Sequence, residues 1–227
     1  MRPLAARPRA VTLDPGRTAL VVVDMQNAFV ERGGLFDLAG LDIDGARSVV
    51  DAARRLLMAA RPVGIKVIYL QMGYRPDLAD SGGPTSPNWD KELALVLMRE
   101  RPELAGRLLV HGTWDHAIVD DLKPEAGDLV VPKSRYSGFA GTALDSLLRT
   151  AGVTDLIFTG VASNVCVEST LRDAFFHEYR PVLVADATMA AGPEGQQAAT
   201  LFNVETFFGA VTRTADVLDW LRSASTA

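Results

Sequence analysis

The feature that most constrains this chain is a β-branched apolar run, Thr18-Ala-Leu-Val-Val-Val23, that stops on a carboxylate, Asp24. Runs of the same kind recur at 65–70, 129–131, 155–159 and 182–185, with a weaker one near 210–212. Helical patterns fill the intervals, at 44–60, 142–149, 164–178, 193–207 and 215–221. In the first of these, Val49, Val50, Ala53, Leu56 and Leu57 share one face, and in the second Leu144, Leu147 and Leu148 do so. Strands that are apolar along nearly their whole length, alternating with helices, predict a parallel sheet covered on both faces by right-handed crossovers. The expected fold class is α/β, a three-layer α/β/α arrangement around a central parallel Rossmann-like sheet of about six strands.

The rest of the chain agrees with a packed α/β unit. Of 227 residues, 48% are hydrophobic and 22% charged, which excludes disorder as the main state. No break in composition marks a boundary, so residues 1–227 read as a single domain with an N-terminal extension over 1–14. With a net charge of −5 and no basic run, the chain is not a nucleic-acid binder. Its longest apolar stretches, 19–23 and 93–98, fall far short of the roughly 20 residues a membrane span needs. The basic first nine residues lack the apolar core of a secretory signal, and one cysteine makes no internal disulfide. Together these features read as a cytoplasmic protein. The three histidines, His111, His116 and His177, match no ligand spacing and read as solvated or packed, so no metal is expected.

Ligands of open α/β sheets bind beyond the carboxyl ends of the strands, where strand order reverses. The residues just past each apolar run are therefore the informative ones: Asp24-Met-Gln-Asn27, Gln71, Lys133, Gly160-Val-Ala-Ser-Asn-Val-Cys166 and Asp186. None of these turns is a dinucleotide fingerprint or a Walker loop, so no nucleotide cofactor is expected. Cys166 falls in the first turn of a predicted helix, where unpaired N–H groups and the helix dipole favour a thiolate. Lys133 can hold that thiolate by charge, and Asp24, at the end of the most apolar strand, can carry its proton. Taken singly, each also has a plain structural reading: a small buried hydrophobe, an exposed loop charge and a turn cap. The tight turn from Gly160 into the helix can converge backbone N–H groups on an oxyanion. The least regular stretch, 71–91, with Gly73, Pro76, Gly82, Gly83, Pro84 and Pro87, is long enough to expect a role at the site.

Thr18-Ala-Leu-Val-Val-Val-Asp-Met-Gln-Asn27, Pro132-Lys133 and Gly160-Val-Ala-Ser-Asn-Val-Cys-Val-Glu-Ser169, in this order and spacing, resemble the isochorismatase-like cysteine hydrolases over about residues 10–220. Further stretches resemble the ureidoacrylate amidohydrolases of pyrimidine-ring degradation within that group. These are Met25-Gln-Asn-Ala-Phe29, Gly33-Gly34, Asp37-Leu-Ala-Gly40, Gly82-Gly-Pro-x-Ser-Pro-Asn88 and Lys133-x-Arg-Tyr-Ser-Gly-Phe139. Cys166-Val-Glu-Ser-Thr-Leu-Arg-Asp173, Ala191-Gly-Pro193 and Leu201-Phe-Asn-x-Glu-Thr-Phe-Phe-Gly209 complete the likeness.

The resemblance implies Cys166 as nucleophile, Asp24 as general acid/base and Lys133 as the residue that polarises the thiol. It implies a cis Val161–Ala162 bond and an oxyanion hole from the Ala162 and Cys166 N–H groups. It further implies a small-molecule ureide as substrate, C–N hydrolysis without cofactor, and a homo-oligomer. Asn27, Gln71, Tyr74, Asp80, Trp89, Tyr136 and Asn164 are the candidate substrate-binding residues. The metal-binding relatives carry an Asp/His cluster after the second strand, where this chain has Gln71-Met-Gly-Tyr74. True isochorismatases lack the cysteine and cleave an enol ether, so Cys166 points to an amide or ureide. The ureidoacrylate subgroup carries Asn and, two residues on, Trp where this chain has Met72 and Tyr74. The alternatives are a related hydrolase of biuret or N-carbamoyl amino acids, a non-catalytic binding protein on the same fold, and a redox-sensing thiol, for which the chain holds no resolving cysteine.

Overall fold

The computed structural model of the chain describes residues 2–224. Strands β1 Thr18–Val23, β2 Lys66–Met72, β3 Leu129–Lys133, β4 Asp155–Val161, β5 Arg180–Met189 and β6 Ala210–Thr212 form one sheet, with every pairing parallel. Their order is β3-β2-β1-β4-β5-β6, so the progression of the chain reverses between β1 and β4. Helices α1 Asn27–Val30, α2 Leu35–Leu38, α3 Ala46–Ala60, α4 Pro87–Lys91 and α5 Leu93–Glu100 belong to the first half of the sheet. Helices α6 Leu144–Thr150, α7 Glu168–Phe176, α8 Gln196–Asn203 and α9 Thr214–Ala224 follow.

All six residues of β1 are buried, and their alternation builds both cores. Leu20 and Val22 join Val49, Leu56 and Trp220 of α3 and α9 on one face. Ala19, Val21 and Val23 join Leu144, Leu148 and Leu171 of α6 and α7 on the other. The predicted three layers are therefore present. Helix α3 buries Val49, Val50, Ala53, Leu56, Leu57 and Ala60 on one stripe, and a 3-10 turn at Arg61–Val63 ending on Gly64 at φ 78° stops it.

Several strands run two to four residues past their apolar patterns. Pro132 does not end β3, because β3 is an edge strand paired only with β2, where a missing N–H is tolerated. Gly160 does not break β4. At φ 115° it lets β4 lie against β1 so closely that a Cβ there would sit 2.1 Å from the Val23 carbonyl oxygen. Asp186 lies inside β5, beside the register shift between β4 and β5, and caps α9 by accepting from the Thr214 N–H at 2.7 Å. The single helix expected over 164–178 is a π-helical turn, Ser163–Val167, followed by α7. The one expected over 193–207 is α8 followed by a π-helical turn, Val204–Phe208.

Within residues 2–14 of the predicted extension, Leu4 and Leu13 are buried, and Arg7 bridges antiparallel to Val211. This segment covers the open edge of β6. Among the described residues no helix is long and apolar enough to cross a membrane.

Candidate active site

Asp24 is the residue on which β1 leaves the sheet. Its φ of 50° lies in the left-handed region, which Asp tolerates better than branched residues do. The turn is held by the Asp24 N–H donating to Leu70 O at 2.9 Å. The carboxylate is fully buried: Oδ1 accepts from the Met72 N–H at 3.0 Å, and Oδ2 lies 2.7 Å from Lys133 Nζ. This second contact is a charge pair rather than a well-aligned hydrogen bond, since Oδ2 has no hydrogen-bond partner of good geometry. Lys133 comes from the end of β3, two strands away, and its Nζ also donates to Arg135 O at 3.2 Å. Gln26 braces the same rim. Its Oε1 accepts from Met72 N–H at 2.9 Å, and its Nε2 donates to Met72 O and His116 O, each at 2.8 Å.

Cys166 enters from the other side of the reversal point, on the π-helical turn that follows β4. Its thiol is within hydrogen-bonding reach of both Asp24 and Lys133. The structure thus brings together all three residues that the strand-end argument selected. The peptide bond between Val161 and Ala162 is cis.

The electrostatics differ from the expectation of a thiolate at rest. Burial pushes the Cys166 thiol well above its ordinary value; Asp24 adds to that rise and Lys133 opposes it. Burial also raises Asp24 against the pull of Lys133. Burial works against the Lys133 ammonium, but the facing Asp24 and Cys166 outweigh it and hold the ammonium charged. A helix start favours a thiolate, yet a sulfur shut away from water inside a π turn loses more by desolvation. The arrangement keeps a proton on sulfur beside a buried carboxylate that can take it.

Cys166 opens onto a cavity of about 130 Å³. Ala162, Met72 and Ala191 line it, Phe29, Phe36 and Leu93 form apolar wall, and Tyr136 and Glu92 supply polar side chains. Of the seven predicted substrate-binding residues, Tyr136 lines the cavity; burial pushes its phenol up to about 12. The other six have side-chain or packing commitments elsewhere. Asn27 Nδ2 donates to Trp114 O at 2.8 Å, and Gln71 Nε2 donates to His116 O at 3.0 Å. Tyr74 is fully buried behind the wall, its hydroxyl accepting from Asn88 Nδ2 at 3.1 Å. Asp80 accepts from the Arg75 N–H at 3.1 Å, and Trp89 packs under the Arg99 guanidinium at 4.5 Å. Asn164 ties Ala191 in place, donating to its carbonyl at 2.8 Å and accepting from its N–H at 2.9 Å. Of these contacts, the Asn164 pair reaches a residue of the cavity wall, Ala191.

Sequence reasoning missed Glu92 and the apolar wall. Glu92 immediately follows the irregular 71–91 stretch, and that position was the available signal. His111 and His116 come together, ring centroids 4.8 Å apart, and burial lowers His116 to about 4. Among the described residues no three or more His, Cys, Asp or Glu side chains gather as metal ligands.

Comparison with known proteins identifies the family. Residues 18–216 match the isochorismatase domain. The chain is 55% identical to ureidoacrylate amidohydrolase RutB of Agrobacterium fabrum over 94% of this chain and 93% of that protein. It is 53% identical to ureidoacrylate amidohydrolase RutB of Enterobacter sp. over 100% and 99%. Among solved structures, a cysteine hydrolase from Pseudomonas syringae pv. phaseolicola superposes with a TM-score of 0.79 at 32% identity, covering 98% of this chain and 99% of that one. N-carbamoylsarcosine amidase from Thermoplasma acidophilum superposes with a TM-score of 0.65 at 28% identity, covering 87% and 96%. The chain belongs to the isochorismatase family.

Proposed function

We propose that the chain is a cysteine-dependent amidohydrolase that cleaves ureidoacrylate to aminoacrylate and carbamate. The observation that carries this reading is the meeting of Asp24, Lys133 and Cys166 at one buried point beneath a small cavity. The ureide comes from relatives that are more than half identical over nearly their whole length and are named for that substrate.

Asp24 takes the proton from Cys166 as sulfur attacks the ureido carbonyl carbon, and Lys133 balances the charge that moves. The Ala162 and Cys166 N–H groups hold the oxyanion, an interaction worth about 3–4 kcal/mol per donor in other enzymes. Collapse breaks the C–N bond, and Asp24 returns its proton to the leaving nitrogen, releasing aminoacrylate. Water, deprotonated by Asp24, then cleaves the carbamoyl–sulfur bond and releases carbamate. The first step starts from the protonated resting thiol that burial enforces, and in the last Asp24 passes the proton taken from water to the departing sulfur and restores it.

Met72 in the wall favours one second reading, a related hydrolase of N-carbamoyl compounds or biuret. An apolar side chain stands there where the subgroup pattern has an amide. We read the whole of 1–227 as one catalytic unit, cytoplasmic and homo-oligomeric. The cluster of exposed phenylalanines, Phe175, Phe176, Phe202 and Phe207, supports association between copies.

The test is chelator-treated protein incubated with ureidoacrylate, biuret, N-carbamoyl amino acids and nicotinamide, with nitrogen release followed and Cys166→Ala as control. Ureidoacrylate turnover that vanishes in Cys166→Ala is expected. Turnover of another panel member alone would move the substrate, and activity surviving in Cys166→Ala would end the thiol mechanism.

A further inference from the structure

Glu92 is the one acidic side chain on the cavity wall, and the mechanism above gives it no task. It is 3% exposed. Its Oε2 accepts from the Leu95 N–H at 3.1 Å and so caps α5. The cap and the Tyr74 hydroxyl, which also lies within hydrogen-bonding reach of the carboxyl, leave lone pairs free on a group that can accept about four hydrogen bonds, and Ser, Thr, Asp or Asn serve as caps without carrying a carboxyl so far from the backbone. Glu92 lies in the field of Lys133, and Tyr74 and Tyr136 both feel its charge. It shares the wall of one small cavity with Cys166, so a substrate whose carbonyl is attacked there also meets Glu92. The remaining wall near Cys166, including Phe29, Val165 and Ala191, offers no other carboxylate.

A ureido group differs from an acyl group in one respect at that point: its carbonyl carbon carries –NH2 where an acyl carbon carries carbon. The geometry points to Glu92 as the specificity-determining residue that accepts a hydrogen bond from the ureido –NH2, so that the site selects carbamoyl over acyl substrates. This rests on the ureide reading above. An acyl substrate in the same pose leaves the carboxylate facing a methyl group, one donor short of the ureide complex. A substrate seated in this cavity of about 130 Å³ leaves little room for a water to take the donor's place.

The experiment compares kcat/KM for ureidoacrylate and for 3-acetamidoacrylate, in which methyl replaces the terminal amino group. The quantity read is the ratio of the two in each chain, which removes the intrinsic difference in reactivity. Glu92→Ser and Glu92→Thr both retain an α5 cap while removing the carboxyl from the cavity. In them the ratio is expected to fall by about tenfold or more. Glu92→Gln keeps a carbonyl acceptor and is expected to stay within about threefold of the unaltered chain. A purely structural role would lower both substrates together and leave the ratio unchanged, and that result overturns the assignment. So does failure of both capped variants to fold, which would make Glu92 a structural residue. No turnover of either substrate by the unaltered chain would instead remove the ureide reading itself, a distinguishable outcome.

Discussion

Lys133 Nζ stands 2.7 Å from Asp24 Oδ2, and neither side chain is accessible to water. Two full charges buried this deeply stabilise each other only as a pair; removing one strands the other. Lys133→Met is therefore expected to destabilise the fold by about 3–5 kcal/mol. The double variant Asp24→Asn/Lys133→Met should recover most of that loss, because no uncompensated charge remains. Denaturant unfolding of both chains checks the coupling, and hydrolysis should be absent from each.

Gly160 should tolerate no side chain. A Cβ would lie 2.1 Å from Val23 O on a backbone at φ 115°. Gly160→Ala is expected to lower stability by about 3 kcal/mol or more and to separate Cys166 from Asp24. Thermal unfolding measures the first effect, and loss of turnover at a temperature where the variant remains folded measures the second.

The Cys166 thiol should react as a buried, protonated sulfur. Burial holds it well above the ordinary 9.0. Alkylation by iodoacetamide at pH 7 is expected to be at least about tenfold slower than for a free cysteine, rising only as pH climbs past the usual thiol range. Lys133→Met removes the one charge that opposes the rise and should slow alkylation further. A flat, fast alkylation profile near neutrality would show a thiolate at rest and contradict the proton count of the mechanism.

Glu92 should make stability fall as pH rises. Burial raises its carboxyl above the ordinary 4.5. Between that value and its raised one, the native state holds a proton that the unfolded chain has already released. The contribution is present below pH 4.5 and is lost as pH climbs through the raised value. Glu92→Gln, which cannot ionise, should unfold a few degrees above the unaltered chain at pH 8, by about 2–4 °C per kcal/mol, with the gap closing at pH 4. Melting curves at the two pH values decide it.

The strands and the meeting of Asp24, Lys133 and Cys166 were legible because each rests on a local pattern. Residues 18–23 are apolar without interruption and end on Asp24; Cys166 comes just past the apolar run of 155–159; Lys133 follows a short β-branched run. Strand ends were less legible. Pro132, Gly160 and Asp186 read as breakers, but pairing with neighbouring strands carries the backbone through them. The cavity wall was hardest to see. Asn27, Gln71 and Asn164 hydrogen-bond to backbone groups of Trp114, His116 and Ala191, connections that span 27 to 87 residues of sequence. Glu92 is marked in the sequence only by its place just after the irregular 71–91 stretch; nothing else local says that α5 buries its cap.

The reversal between β1 and β4 also divides the chemistry by chain position. Asp24 and Lys133 arrive with the strands on one side, Ala162 and Cys166 with those on the other. Any cut in the backbone between 134 and 161 leaves the carboxylate and ammonium on one fragment and the thiol on its complement. Neither piece alone can move a proton from sulfur to carboxylate. Their reassociation through the β1–β4 seam would restore the whole constellation at once, so recovered hydrolysis would report the moment the two halves of the sheet meet.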